Sequence, residues 1–270
     1  MDKEMMNWEL EQKVEKSKEV IRQAFEKHGS DKIAVAWTGG KDSTVLLWLV
    51  REVCKEKGYQ LPKCMFINEG HVFEEVKEFV DQYQGKWDLD VDEVKNDDVL
   101  KQIDKVGDPV RVSELNERNK KEIEKLNFEK DEFPFEPESY VGNHLMKTVA
   151  MNVYLEKMGF KALITGIRWD EQSARANETF FSPREEPDHI RVQPILHFTE
   201  RDVWDTTFKF NIPFNKLYEK GYRSLGAKGT THKVSDKPAW EQDLEKTTER
   251  EGRRQDKEGI MKRLRDLGYM

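Results

Sequence analysis

A chain of 270 residues is long enough to bury a sizeable core, as one large domain or as a core with an appendage. Charged residues (37%) match hydrophobic ones (36%), no run approaches the about 18 apolar residues of a spanning helix, and the charged N-terminus lacks an apolar signal segment; this excludes a membrane class and predicts a cytoplasmic protein. A formal net charge of -7 excludes a nucleic-acid binder held by bulk electrostatics, while a locally basic pocket for a small anion stays open.

Along the chain, residues 7–28 carry Trp8, Leu10, Val14, Val20, Ile21 and Phe25 at helical spacing, predicting an amphipathic helix that stops near Gly29. A first strand follows at 33–37, and the apolar run at 43–54 predicts a helix packed against a sheet. Residues 61–68 predict a short buried strand, 72–85 a helix closed by Gly85, and 89–94 a third strand of alternating apolar and acidic residues. Strand, helix, strand, helix, strand at this pitch implies right-handed crossovers, hence the α/β class with an open parallel sheet flanked by helices. Between 96 and 140 the pattern breaks into charge-dense and then proline-bearing sequence, read as a solvated helix and a surface excursion, with a partner-binding insert as the alternative. Periodicity resumes with a helix at 143–159, a buried strand at 160–166 ending in a turn at Gly166, and a helix opened by the capping residue Thr199. From Asn211 onward glycine, proline and charge dominate, predicting an irregular region over the core. The expected division is an N-terminal helix at 1–30, an α/β domain at 31–210 with a charged insert at 96–140, and an irregular region at 211–270.

The chemistry concentrates in three places. The turn Thr38-Gly39-Gly40-Lys41-Asp42-Ser43 joins strand to helix, and glycines there open successive amides toward an anion such as phosphate. Lys41 adds charge, Ser43 and Thr44 add hydroxyls, and Asp42 either caps the helix or helps hold Mg²⁺. The spacing is not that of a Walker A loop. The second cluster, "ITGIRWDEQSARANETFFSPR", follows a predicted core strand, and in an open parallel sheet ligands collect beyond the carboxyl ends of the strands. It brings Arg168, Arg175 and Arg184 near Asp170, Glu171 and Ser173, as an ion-paired loop or as a site; Lys147 and Thr148 on the preceding helix add a charge and a hydroxyl. The third, residues 189–224, is chiefly packing around Trp204 and Phe208, with Arg191 and Arg223 as the candidates to rim a crevice beside Lys216, Tyr218 and Tyr222. His71, His144, His189, His197 and His232 show no metal-ligand spacing, and Cys54 and Cys64 alone support neither an iron-sulfur cluster nor a disulfide framework.

"WTGGKDSTVLL" resembles the S-G-G-x-D-S pyrophosphate loop of the ATP pyrophosphatase class, in the branch that includes the phosphoadenosine-phosphosulfate (PAPS) reductases. "HLMKTVAMNVYLEKMGFKALITGIRWDEQSARANETFFSPR", "RVQPILHFTERDVW", "NIPFNKLY" and the terminal "EREGRRQDKEGIMKRLRDLGYM" resemble the small catalytic subunits of two-subunit ATP sulfurylases (sulfate adenylyltransferase subunit 2). Thr38 stands where the loop usually has Ser, and Asn68-Glu69-Gly70 replaces the usual D-T-G strand end.

The resemblance implies an adenine nucleotide alpha hydrolase-like fold and ATP-dependent adenylyl transfer to sulfate. ATP is then held by Thr38, Gly39, Gly40, Lys41, Asp42, Ser43 and Thr44 with Asn68 and Gly166, while Lys147, Arg168, Arg175, Arg191 and Arg223 hold the acceptor anion. Catalysis falls to Lys41, Asp42, Arg168 and Arg175. Sulfate is deprotonated at neutral pH, so the task is positioning and charge neutralisation rather than general-base chemistry. Implied companions are Mg²⁺ carried with ATP and a GTPase large subunit, with no iron-sulfur cluster, no protein metal site, no nucleic acid and no membrane; self-association is compatible with the sequence. Reductases of the class resemble "LYEKGYRSLGAKGTT" but carry a C-terminal cysteine nucleophile absent after Cys64, and flavin-adenine dinucleotide synthetases share "RVQPILHFTERDVW". Sulfonucleotide reduction, adenylylation of flavin mononucleotide (FMN) and nucleotide binding without turnover are the competing readings.

Overall fold

The structure, a computed structural model, describes residues 3–252. Helix α1 (Leu10–His28) buries Val14, Val20, Ile21 and Phe25, and Gly29, with φ at 75°, ends it and turns the chain into strand β1 (Ile33–Ala36). Helix α2 (Lys41–Lys57) starts two residues before the predicted boundary and buries Val45, Leu46, Leu47, Leu49, Val50 and Val53. Its apolar residues run nearly all round because it is sandwiched between the sheet, α1 and α8 (Glu200–Lys209). Each such side chain contributes roughly 1.5–3 kcal/mol by leaving water.

Strand β2 (Lys63–Ile67), helix α3 (Glu74–Trp87) and strand β3 (Val91–Val94) complete the first half of the sheet. Gly85 does not close α3 as its sequence suggests. The helix runs on to Trp87 and ends at Asp88 in the left-handed conformation, because Trp87 packs edge-on to Tyr83 under the guanidinium of Arg51. Those contacts outweigh the about 1 kcal/mol that glycine costs inside a helix.

The insert is more ordered than a solvated excursion. After helix α4 (Asp97–Leu100), strand β4 (Pro109–Arg111) pairs antiparallel with β5 (Glu132–Pro134), and helix α5 (Glu117–Lys125) lies between them in sequence. Val99, Val110, Leu115, Ile123, Phe133 and Phe135 form a core of their own with Leu145, Met146 and Val149. Most charges of α5 stay on its solvent face; Glu122, the exception, is buried against His144 at 2.9 Å.

Helix α6 (Tyr140–Asn143), a π-helical segment (His144–Val149) and helix α7 (Ala150–Met158) make one continuous rod. The wider π turn lets Leu145, Met146 and Val149 face the insert while Lys147 and Thr148 reach the main cavity. Strand β6 (Ala162–Ile164) then pairs parallel with β1, and β7 (Phe181–Glu185) and β8 (Asp188–Val192) follow.

The sheet order is β3-β2-β1-β6-β8-β7. The open parallel sheet flanked by helices is as expected, and one edge strand that the sequence did not announce, β7, pairs antiparallel with β8. Ser182, Pro183 and Arg184 read as loop in sequence because an edge strand tolerates proline and charge. Thr199 opens α8 with a capping box, donating its backbone N–H to Asp202 Oδ2 at 2.6 Å.

Residues 211–252 cross the core with little regular structure, anchored where Trp204 packs among Phe214, Tyr218 and Trp240. The segment 257–270 and most of the terminal motif quoted above lie outside the described residues. Among the described residues no helix is long and apolar enough to cross a membrane.

Candidate active site

Between β1 and α2 the chain turns through residues 37–40, and the glycine-rich stretch sits at the carboxyl end of the central strand. Trp37 is fully buried and donates its indole N–H to Thr44 Oγ1 at 3.1 Å, while Thr44 donates to the Gly40 carbonyl at 2.8 Å. Ser43 Oγ accepts the Thr38 N–H at 3.2 Å and lies 3.1 Å from Thr38 Oγ1. These three hydroxyls therefore shape the turn from within. Gly39 holds φ at +71°, a conformation in which a side chain is strained. Among the described residues no group accepts from the amides of Gly39 or Gly40, and the helix dipole adds positive potential there. The Lys41 amide is occupied, donating to the hydroxyl of Tyr218 at 2.9 Å.

The side chain of Lys41 does not project into open space. Its ammonium is buried, 2.5 Å from Glu249 Oε1, 3.6 Å from Glu200 Oε1 and 3.6 Å from Asp42 Oδ2, and it donates to the Arg223 carbonyl at 2.9 Å. Burial opposes its charge, but Glu249 and Glu200 prevail and hold its pKa above the ordinary value. Arg168, equally buried, pairs with Asp42, Asp170 and Glu249. Asp170 Oδ1 accepts from Arg168 Nε at 2.9 Å, while its Oδ2 accepts the first backbone N–H of α8 at 2.8 Å, so one carboxylate orients the arginine and caps a helix. Burial disfavours a charged Glu249, yet Arg168 and Lys41 overcome this and keep its carboxyl well below the usual range. Asp42 is thus an ion-pair partner of Arg168 in this arrangement.

A cavity of about 220 Å³ opens beyond the ends of β1, β2 and β6, bounded by the glycine turn, by Lys147 and Thr148 of the π segment, and by Arg191 of β8. Gly166 lines it, and a Cβ there would come within 3.1 Å of the Asp42 carbonyl, so glycine lets the β6 end lie against the start of α2. Arg175 lines it too, paired with Glu171, and Lys147 is held 3.0 Å from Glu69 and 3.7 Å from Glu138. Arg191 is buried with one amino group 3.8 Å from Met151 Sδ.

Arg223 stands outside the cavity lining. It donates to Glu200 at 2.8 Å and to the carbonyls of Leu244 and Thr247, fastening the C-terminal segment. Asn68 is also absent from the lining; it donates to Glu93 at 2.7 Å and accepts the Gly70 N–H at 2.8 Å. Arg184 pairs at the sheet edge with Ser182 and Glu178, and Lys216 pairs with Glu78 at the surface.

Residues 32–233 match the family described as "Phosphoadenosine phosphosulfate reductase domain". The chain belongs to the PAPS reductase domain family. Adenosine 5'-phosphosulfate reductase 1 of Bacillus subtilis (strain 168) is 26% identical over 208 residues, covering 77% of this chain and 76% of the relative. Sulfate adenylyltransferase subunit 2 of Rhizobium tropici is 33% identical over 119 residues, covering 36% of this chain and 40% of that subunit, so this match spans less than half of the relative. The crystal structure of Candida glabrata FMN adenylyltransferase superposes with a TM-score of 0.65 at 18% identity, covering 92% of this chain and 88% of that one, which shows a common fold.

Within this family member, sequence reasoning missed Glu249, Glu200 and Arg250 as site residues and gave Tyr218 only a place at the rim. Glu249 lies 208 residues from the lysine it neutralises, and no local spacing signals such a pair. The two cysteines stand apart from the cavity lining. Cys54 sits in α2 and Cys64 in β2, both buried, and burial pushes their thiols up to about 11 and about 12.

Proposed function

We propose that the protein transfers an adenylyl group from ATP to a small oxyanion, with sulfate as acceptor, and releases pyrophosphate. The observation that carries this reading is the turn at residues 38–41, where open glycine amides meet a helix N-terminus at the end of a central strand. In this reading the β and γ phosphates lie on that turn. A sulfate oxygen attacks the α-phosphorus, a new phosphorus-oxygen bond forms opposite the bond to the bridging oxygen, and pyrophosphate leaves with that bond's electron pair. No proton has to be removed from the attacking oxygen, so the residues supply position and charge, and Arg175, Arg191 and Lys147 frame the acceptor side of the cavity. Mg²⁺ carried by the nucleotide would supply charge neutralisation at the phosphates, beside the open amides of Gly39 and Gly40. Lys41, Asp42 and Arg168 form one ion-paired unit that fixes the turn from beneath. The relative's name, sulfate adenylyltransferase subunit 2, supports a further subunit as partner, and the motif resemblance is what makes that subunit a GTPase in this reading.

The second reading is reduction of a sulfonucleotide, favoured by the B. subtilis relative's name. It needs a thiol at the sulfur atom, and neither cysteine of this sequence offers a reactive one: both are buried, off the cavity lining, and protonated at neutral pH. Pyrophosphate release from ATP and Mg²⁺, with and without sulfate, separates the two.

A further inference from the structure

Two hydroxyls in the main cavity are enclosed without a partner. Thr148 and Thr165 are each 1% exposed, both line the cavity, and among the described residues neither Oγ1 makes a hydrogen bond. A polar group enclosed in this state costs free energy comparable to a lost hydrogen bond until a ligand completes it. Other helical threonines of this chain avoid that cost. Thr44 of α2 and Thr206 and Thr207 of α8 each donate to the carbonyl four residues earlier, at 2.8, 2.6 and 2.7 Å. Thr148 lies in the π-helical segment, where the widened turn changes that spacing, and its hydroxyl serves the cavity instead. Thr165 arrives from the sheet. It follows β6, donating its N–H to the Val192 carbonyl at 2.8 Å, so its side chain shares with Leu163 the face that Met151 of α7 covers. Arg191 sits opposite Leu163 in register and reaches Met151 Sδ at 3.8 Å, which puts the arginine on that face as well.

We propose that Thr148 and Thr165 are the hydroxyl ligands of the acceptor, a small oxyanion, and that the π turn exists to aim Thr148 at it. This rests on the adenylyl-transfer reading for the role of the anion as substrate. Lys147 and Arg191, which line the same wall, carry donors only, so a ligand shared with them and with two hydroxyls is rich in acceptors, as an oxyanion is. Thr148 stands on the π-segment wall, away from the open amides of Gly39 and Gly40 that suit the nucleotide's phosphates. Thr165 precedes Gly166, which lies against the start of α2, and so stands between the two walls, where acceptor and nucleotide have to meet. The two hydroxyls are thus held ready at the expense of the empty protein's stability.

The test is equilibrium binding of sulfate, ATP and adenosine to the whole chain, with a urea midpoint for each variant. Thr148→Val and Thr165→Val each replace the hydroxyl by a methyl of similar size. Each weakens sulfate about tenfold, the scale of a lost hydrogen bond to a charged group, and leaves ATP and adenosine within about twofold. The urea midpoint of the ligand-free variants stays level or rises, because an unpartnered hydroxyl has been removed; a hydroxyl kept for structural reasons gives a lower one. Thr148→Ser and Thr165→Ser retain the donor and bind sulfate within about threefold of the parent. Unchanged sulfate binding in both valine variants overturns the proposal, as does a parent that binds no sulfate. An equal loss of adenosine overturns it too, since the hydroxyls then belong to the nucleoside, and so does a lowered urea midpoint. If sulfate binding depends on the two hydroxyls but the parent shows no sulfate-dependent pyrophosphate release, the adenylyl-transfer reading falls and the anion site stands.

Discussion

The carboxylate of Glu249 lies 2.5 Å from the ammonium of Lys41, and both groups are fully enclosed although 208 residues separate them. The same carboxylate engages Arg168, so a buried ion triad ties the C-terminal segment, the start of α2 and the end of β6 together. Removing one member of a buried charge pair leaves the others desolvated and unpaired. Glu249→Ala is expected to destabilise the protein by about 3–5 kcal/mol, read as a lower urea midpoint at unchanged slope. Glu249→Gln keeps the hydrogen-bonding shape and is expected to lose less.

Gly166 tests whether the approach of β6 to α2 sets the geometry of the turn. A Cβ at this position meets the Asp42 carbonyl carbon and oxygen at 3.1 Å and Ser43 Cα at 3.2 Å, all backbone atoms that cannot swing aside. Gly166→Ala is expected to cost about 1–3 kcal/mol in stability and to lower kcat for pyrophosphate release about tenfold or more, because small displacements of a phosphate cradle are expensive in rate. Parent-like kcat would show that the turn tolerates the shift.

The thiols are predicted to be spectators. Cys54→Ala with Cys64→Ala should keep turnover per folded molecule within about twofold, since both groups are buried away from the cavity lining and protonated near neutrality. Loss of turnover with an intact fold would favour the reductase reading.

Acid should loosen the protein through its enclosed histidines. Burial lowers the pKa of His197 from 6.5 to about 4, against the Lys13 carbonyl to which its Nε2–H donates at 3.0 Å. The unfolded chain takes up the proton first, so stability is complete above about pH 6.5 and falls as pH drops toward 4, by up to roughly 3 kcal/mol at this residue. His189, pushed down to about 4 chiefly by burial, acts in the same direction. Urea midpoints at pH 7.0 and 5.0 should diverge in the parent, and His197→Gln should reduce the divergence.

Local features were the legible ones. The glycine turn, the apolar strands and the capping residue Thr199 all announce themselves within a few residues, and the structure places each at its expected element. The insert was masked because the charges of α5 dominate its composition while its apolar residues, such as Val110, Phe133 and Phe135, are spread over three short elements. The resemblance also groups Lys147, Arg168, Arg175, Arg191 and Arg223 as one anion-binding set; the four arginines are all buried, and what divides them is whether they line the cavity. Arg175, paired with Glu171, and Arg191 line the cavity; Arg168 and Arg223 stand off the lining and bind carboxylates or carbonyls of the molecule itself. Whether an arginine meets a ligand or its own chain depends on residues far away in sequence, here Glu200 and Glu249.

The most direct test of adenylyl transfer is pyrophosphate release by the purified full chain from ATP and Mg²⁺, with and without sulfate, and with a candidate GTPase subunit and GTP in parallel. Release is expected to depend on sulfate and to be lost in Lys41→Ala and Asp42→Ala. Release independent of sulfate, or none under any condition while ATP still binds, would contradict it.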